Sequence, residues 1–328
     1  MQEVYTKLNN YLNDWFVRVE KEDPVFHENL YNIFLVTNSI CKRKLDDSIY
    51  EKIENPGMDF VTCIFYARQI IESIDCGMLE KFDEVLSNGI ININEEFDEN
   101  DNSYYATVYN DQNLLIREQI ELKLDHTTDD IRKIVHEFIH LYLEVPNRSQ
   151  NYKFLIEFFS TYFEEYARNF MDMYDDESLK FSCISRINVF LQSVNFIQHF
   201  IIILLTYKNL GDLNDKSQIE LKEICHINYK TFEKKCCELL KLFESGENDL
   251  TYNYKYIVGT ILAYYCKDKL DVKHIIDFAK KVNTSLYSEM DIFELLKQIN
   301  ISLNFELISN VIDQIEDVKK INKCYNTK

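Results

Sequence analysis

The sequence predicts a mainly α protein in which one small β-hairpin interrupts a long series of helices. Glycine and proline, which interrupt helices, number only 6 and 3 in 328 residues, while apolar residues make up 46% of the chain. Most apolar residues recur with the helical period of three to four positions. The period changes to two between about residues 104 and 124, where strands are expected.

The first part of the chain, up to about Leu86, has a helical pattern with breaks near Pro24 and at Asn55-Pro56-Gly57. Two stretches with the strand period follow, Tyr104–Tyr109 and Leu114–Leu124. In the second stretch apolar residues alternate with charged or polar ones, as in a half-buried strand. The polar residues between the two stretches predict the turn of a hairpin.

Two helices are predicted directly after the hairpin. The first is expected to begin at Thr128-Asp129-Asp130, which offers an N-cap and an acidic first turn, and to end before Pro146. The second runs from about Tyr152 to Met171, because large apolar residues recur there at helical spacing. Beyond Tyr174 the chain returns to helices and shows no internal repeat.

The first of these helices contains the motif His136-Glu137-Phe138-Ile139-His140. Positions i and i+4 share a face of a helix, so both imidazoles can reach one metal ion, as in zinc-dependent hydrolases. A zinc ion held there lowers the pKa of a water molecule, and Glu137, beside the ion, can take the proton. Such motifs also arise by chance, but the predicted helical context supports a site. His136 and His140 are therefore predicted zinc ligands, and Glu137 is the candidate general base.

The second helix carries Glu157 and Glu164, which lie seven residues and hence two turns apart on one face. The bulky apolar residues on that face predict packing against the histidine helix, and buried carboxylates need partners. Glu157 is the predicted third ligand, since catalytic zinc normally has three protein ligands. Glu164 is the candidate acceptor for a ligand imidazole N–H. The alternative is that Glu157, Glu164 and Glu165 form a solvated stripe.

The hairpin also has two interpretations. In a metallopeptidase, an edge strand beside the zinc helix can bind an extended substrate through main-chain hydrogen bonds. The alternative is a purely structural hairpin, and the sequence leaves both open.

Several segments between Cys76 and Phe170 carry a resemblance to a known family: Met78–Asp83, Gly89–Ile93, Tyr104–Tyr109, Leu114–Ile116, Thr128–Ile131 and Glu157–Glu164. In this order they resemble the oligoendopeptidase F branch of the thimet oligopeptidase family, which are gluzincin zinc metallopeptidases. Gly89–Ile93 looks like part of the family's helix and following turn. The last segment matches the family's third-ligand helix, including its second glutamate.

This resemblance implies a multi-helical zincin-type metallopeptidase fold with a small β-hairpin or sheet beside the active-site helix. It implies one peptidase domain over residues 1–328, with an N-terminal helical part (1–95) and a zinc-binding catalytic part (96–328). The implied cofactor is one Zn²⁺ per chain. The implied activity is hydrolysis of peptide bonds in short peptides by a zinc-activated water, with Glu137 as the general base.

The segment Tyr252–Gly259 resembles the tyrosine-rich helix from which this family donates hydrogen bonds to the tetrahedral intermediate. The resemblance makes Tyr252, Tyr254 or Tyr256 the candidate donor to the oxyanion. The alternative is that these side chains simply pack, since the chain contains 22 tyrosines.

The sequence departs from the family pattern in ways that keep two further functions open. The chain is short, Ile139 replaces the usual glycine, and residues near Gly246 and Asn248 replace a histidine and a tyrosine. One alternative is a zinc- and peptide-binding pseudopeptidase. The other is a regulatory gluzincin that cleaves one specific protein partner. The presence of Glu137 favours an enzyme, since zinc binding alone does not require this base.

Composition indicates which partners to expect. Charged residues give 36 minus 55, or −19, which disfavours nucleic acid and anionic membranes and favours neutral or basic peptides. Nine scattered cysteines without a CxxC pair, and an N-terminus without a signal pattern, predict a cytoplasmic protein. The apolar run Phe200–Leu205 is too short to span a bilayer and is expected to be a buried helix. The oligomeric state stays open.

Overall fold

A computed structural model describes most of the chain. Its described residues are 1–22, 57–93, 103–110, 112, 114–143, 150–171, 176–214, 229–246, 250–282, 290 and 292–301, with isolated positions between 27 and 38 and at 310 and 313. The helices are α1 (Gln2–Glu22), α2 (Phe60–Ile74), α3 (Cys76–Ser87), α4 (Asp129–Tyr142), α5 (Gln150–Met171), α6 (Asp176–Leu210), α7 (Tyr229–Ser245), α8 (Leu250–Cys266), α9 (Val272–Val282) and α10 (Ile292–Lys297). The strands are β1 (Ile91–Ile93), β2 (Tyr104–Tyr109) and β3 (Leu115–Leu122). The predicted mainly α fold with a small sheet is confirmed.

The chain forms two compact units. The first comprises residues 1–46 and 189–257, and the second comprises residues 47–188 and 258–328. The organisation expected from the sequence, a single peptidase domain divided near residue 95, stays a prediction.

In the first unit, α1 packs an apolar face against α7. Tyr11 of α1 stacks on Phe243 of α7 with ring centroids 5.7 Å apart. The Asn9 side chain donates to the carbonyl of Leu213 at 3.1 Å and accepts from its N–H at 2.8 Å. The predicted break near Pro24 itself lies outside the described residues, but α1 ends at Glu22, just before it.

Within α6, the stretch Phe190–Leu210 has the length and composition of a membrane-spanning helix. However, 59% of its most apolar window is buried inside the structure, as in a core helix, so the stretch gives only weak support for a span. Phe200, Ile201, Ile202, Ile203 and Leu204 are buried, as predicted for this helix.

The second unit contains a three-stranded sheet in the order β1-β3-β2. β2 pairs antiparallel with β3, which confirms the predicted hairpin to within two residues at each strand end. β1 pairs parallel with β3 and lies where a helix and turn were expected. The sheet packs on α4 through β2 and β3, and buries Ile120 and Leu122. This packing places the edge strand β2 against the helix that carries the histidine motif.

The helix α4 begins at Asp129, where the sequence predicted it, but the expected N-cap interaction is not formed. Thr128 has helical dihedral angles (φ −59°, ψ −21°), so it lacks the extended geometry of an N-cap, and its side chain makes no capping hydrogen bond. The carboxylate of Asp130 instead accepts hydrogen bonds from the backbone N–H groups of Asp125 at 3.0 Å and Thr127 at 3.2 Å. The expected acidic first turn is present, but its second aspartate binds the preceding loop.

Candidate metal centre

The helices α4 and α5 pack against each other along their length and bury polar side chains as well as apolar ones. On α5, Glu157, Glu164 and Glu165 are 5%, 2% and 1% exposed. These fractions exclude the interpretation of the three glutamates as a solvated stripe. Because a buried carboxylate is costly without partners, each of them is expected to meet a cation or a donor.

Three of the predicted side chains converge between the two helices. The Nε2 atoms of His136 and His140 lie 2.9 Å apart, and the Glu157 carboxylate oxygens lie 3.7 Å from the first and 3.9 Å from the second. One ligand atom from each residue falls within 4.8 Å of the others. Tetrahedral zinc, with bonds of about 2.0–2.1 Å, separates its ligand atoms by about 3.3 Å. The three donors therefore fit one zinc ion after shifts of about half an ångström.

Glu137 lies beside this group and is 7% exposed. Burial raises its pKa to about 7; the neighbouring His136 opposes the shift, and the carboxylates of Glu157 and Glu164 add to it. The carboxylate also accepts a hydrogen bond from the backbone N–H of Tyr105 in β2. A divalent ion in the site would oppose the rise in pKa. Such a carboxylate is placed to exchange a proton near neutral pH.

Glu164 lies beside the imidazole of His136, which is a candidate metal ligand. Its Oε1 is 2.5 Å from Nδ1 of His136, on the opposite side of the ring from the Nε2 that faces Glu157. Burial lowers the pKa of His136, but the carboxylates of Glu164, Glu137 and Glu157 together outweigh this effect and the net pKa is raised. A carboxylate on the far nitrogen is the usual partner of a metal-binding histidine.

Two charged residues of α4 for which the sequence predicted no role in the site, Asp129 and Arg132, complete this network. Arg132 donates from Nε and Nη2 to the two carboxylate oxygens of Asp129, both at 2.8 Å. Its Nη1 lies 3.0 Å from Oε1 of Glu164. A local signal could have revealed them. Residues three or four positions apart share a helix face, and Arg132 lies three residues after Asp129 and four before His136.

The position of Glu157 depends on a close helix contact that the sequence did not reveal. Gly259 of α8 packs directly on the backbone of α5. A Cβ atom at residue 259 would lie 2.7 Å from the carbonyl carbon of Glu157 and from the nitrogen of Phe158. Only glycine allows this approach without moving one of the two helices.

The predicted tyrosines lie on α8 within the first unit, whereas the candidate metal-binding group of His136, His140 and Glu157 lies in the second. Tyr254 and Tyr256 are buried, and the side chain of Tyr252 lies outside the described residues. Their role as oxyanion donors stays a prediction.

Two solved structures share this fold. A candidate peptidase from Chlamydophila abortus is similar over 98% of this chain and 56% of its own, with TM-score 0.53 and 16% identity. A candidate oligoendopeptidase F from Bacillus anthracis strain Ames is similar over 94% of this chain and 55% of its own, with TM-score 0.50 and 15% identity. No protein-family description and no curated protein matches the chain.

These similarities define a class of fold. The protein has the mostly helical architecture with a small sheet found in peptidases of the oligoendopeptidase kind, as the sequence predicted. At this level of identity the likeness shows the fold alone, and the chain spans little more than half the length of either structure.

Proposed function

We propose that the protein is a zinc-dependent metallopeptidase that hydrolyses peptide bonds in short peptides. The observation that carries the proposal is the convergence of His136, His140 and Glu157 beside the buried carboxylate of Glu137. The fold shared with a candidate oligoendopeptidase supports the same class of reaction. Membership of the oligoendopeptidase F branch, as a short and divergent member, is part of this proposal.

Each residue has a distinct task in the proposed reaction. His136, His140 and Glu157 hold one zinc ion, and two nitrogens with one oxygen suit zinc better than calcium or magnesium. When bound, zinc supplies Lewis acidity toward a carbonyl oxygen and makes water more acidic. Glu137 takes the proton from the attacking water and delivers it to the leaving amine. Glu164 fixes the ring orientation of His136.

The sheet supplies a candidate surface for the peptide. β2 has β3 as its strand neighbour on one side and no described strand on the other. Its Tyr105 N–H reaches the Glu137 carboxylate, so this edge lies next to the proposed base. An extended peptide that adds to such an edge is aligned by main-chain hydrogen bonds. This position supports the substrate-binding interpretation of the hairpin.

The expected partners follow from charge. A net charge of −19 favours neutral or basic peptides and disfavours nucleic acid and anionic membranes. The scattered cysteines support the proposal of a cytoplasmic enzyme.

The test is digestion of a mixed peptide library by zinc-loaded wild type beside zinc-loaded Glu137→Gln, with products identified by mass spectrometry. We expect wild type to cut and the variant to be slower by ~10²–10⁴-fold while it keeps its zinc. Equal cleavage by both would exclude Glu137 as the base. If both are silent with zinc bound, general peptidase activity is wrong. Cleavage of one cellular protein would then indicate a regulatory peptidase. If no cellular protein is cleaved either, the protein is a pseudopeptidase.

A further inference from the structure

A continuous chain of charged groups runs from the start of α4 to the first metal ligand. Asp129 binds the fork of Arg132, Arg132 binds Glu164 on α5, and Glu164 binds the imidazole of His136. The side chains are 5%, 11%, 2% and 12% exposed in this order, so water does little to screen them. Water screens the exposed ion pairs of the surface much more strongly, for example Lys7 with Glu3, whose side chains are 53% and 84% exposed.

Arg132 and His136 meet the same atom. Nη1 of Arg132 is 3.0 Å and Nδ1 of His136 is 2.5 Å from Oε1 of Glu164. Arg132 precedes His136 by one turn of α4, and Glu164 follows Glu157 by two turns of α5. The oxygen that orients the ring is therefore placed by a residue on the same helix as the ring.

The guanidinium group is suited to this task because it is planar and presents its donors at fixed angles. Two of its nitrogens are held by both oxygens of Asp129, which leaves Nη1 aimed at Glu164. A lysine ammonium would keep the charge but not this fixed direction. Buried ion pairs often add little to stability compared with apolar residues of similar size, and in some proteins they instead specify a single geometry.

We propose that Arg132, anchored by Asp129, is a positioning residue of the metal centre. It holds Glu164 where its Oε1 accepts the Nδ1–H of His136, so that Nε2 of the ring faces His140 and Glu157. This inference rests on the proposed zinc site. It extends that proposal, because it assigns the orientation of one ligand to a residue that touches neither metal nor substrate.

The test is a double-mutant cycle of Arg132→Met and Glu164→Gln, with Zn²⁺ affinity measured by competition with a chromophoric chelator. The visible absorption of the Co²⁺-loaded protein reports the ligand geometry in parallel. We expect each single variant to bind Zn²⁺ ~10–100-fold more weakly and to alter the Co²⁺ spectrum. The double variant should bind no more weakly than Glu164→Gln alone, because Arg132 acts through Glu164.

Arg68 provides the matched control. Its Nε and Nη2 bind both oxygens of Asp83 at 2.8 Å, the same fork geometry, but the pair is 42% exposed and makes no contact with the ligands. Arg68→Met should leave Zn²⁺ affinity and the Co²⁺ spectrum unchanged. If Arg132→Met does not fold, Arg132→Lys replaces it in the test, because lysine keeps the positive charge. This variant should still bind Zn²⁺ more weakly than wild type.

The outcomes separate this inference from the proposed function. If wild type binds Zn²⁺ and both Arg132→Met and Arg132→Lys bind it as tightly as wild type, the positioning role of Arg132 is wrong, but the zinc site is not affected. Losses of affinity that multiply in the double variant would do the same, because they would show independent effects. Wild type that binds no ion would overturn the zinc site and this inference together.

Discussion

The helices α1 and α4 are both amphipathic, yet they bury different kinds of residue. The buried face of α1 consists of Tyr5, Leu8, Leu12, Trp15 and Val19. The buried face of α4 combines apolar residues with Asp129, Asp130, Glu137 and His140. Burial of apolar surface contributes directly to folding, whereas burial of charge costs free energy unless partners offset it. Stability thus explains why α1 buries its apolar face. The burial of charged residues on α4 requires another explanation.

For Asp129, Glu137 and His140 the proposed metal centre is such a reason, and it allows the two helices to be distinguished by experiment. Substitutions on α1 should change stability and leave metal binding intact. Substitutions of the proposed ligands on α4 should weaken metal binding, whereas removal of one partner of a buried ion pair there should also cost stability, because it leaves the other charge unpaired.

The largest effect is expected for His140→Ala, which removes one of the three proposed ligands. Zn²⁺ affinity should fall by well over ~100-fold, beyond the ~10–100-fold typical for partners outside the ligand shell. Peptide hydrolysis should be lost, while the free energy of unfolding of the metal-free protein changes little. Chelator competition and urea unfolding in EDTA measure the two quantities. Undiminished Zn²⁺ binding would show that the ion lies elsewhere.

On α1 the matching change is Leu12→Ala at a fully buried position. The lost side chain leaves a cavity, so the free energy of unfolding should fall by about 2–5 kcal/mol. Zn²⁺ affinity of the folded protein should equal that of wild type. A weakened Zn²⁺ affinity under conditions where the variant is folded would contradict the separation drawn between the two helices.

An intermediate effect is expected for Gly259→Ala, where a Cβ atom would lie 2.7 Å from the backbone of α5 at Glu157 and Phe158. The helices must separate, at a cost of about 1–3 kcal/mol, and Glu157 must shift with its backbone. Both stability and Zn²⁺ affinity should therefore fall.

Gly89→Ala separates these two consequences. Gly89 has φ +64°, which strains alanine, but a Cβ there meets no atom within 4 Å. This control should lose stability and keep wild-type Zn²⁺ affinity. An equal loss of affinity in both variants would attribute the effect of Gly259→Ala to general destabilisation.

The parts of the site that the sequence predicted are those with a local signal. The spacing of His136 and His140 and the phase of Glu157 and Glu164 depend only on helix geometry, and the structure brings these residues together. The hairpin was predictable because its strands alternate over several residues and are close in sequence.

The missed features depend on distant partners. β1 has three residues, too few to show a period, and forms by pairing with β3. Gly259 shows its role only when α8 meets α5. Around Thr128 four residues of capping type stand in a row, Thr127 to Asp130, so propensity does not choose among them. The hydrogen bonds of Asp130 to the preceding loop determine the start of the helix instead.

The smallest expected effect is on the pH dependence of stability. It is measured for one ion pair of α4 and one ion pair of α1. Burial raises the pKa of Asp129, but the fork of Arg132 together with the charge of Lys133 outweighs this effect and holds the pKa below its ordinary value. A carboxylate with a lower pKa in the folded state stabilises above its unfolded pKa of about 3.9, and this stabilisation is lost as pH falls through the folded pKa. The stability advantage of wild type over Asp129→Asn should therefore be full at neutral pH and shrink as the pH falls below about 4.

On α1, Glu3 and Lys7 form an ion pair at 3.2 Å whose side chains are 84% and 53% exposed. Water screens such a pair, so Glu3→Gln should change stability little at any pH. Urea unfolding of both variants and wild type in EDTA, repeated across this pH range, makes the comparison without the metal. A pH dependence as large for Glu3→Gln as for Asp129→Asn would mean that burial does not distinguish the charges of α4 from those of α1. The assignment of Arg132 and Asp129 to the support of the metal centre would then lose its electrostatic basis.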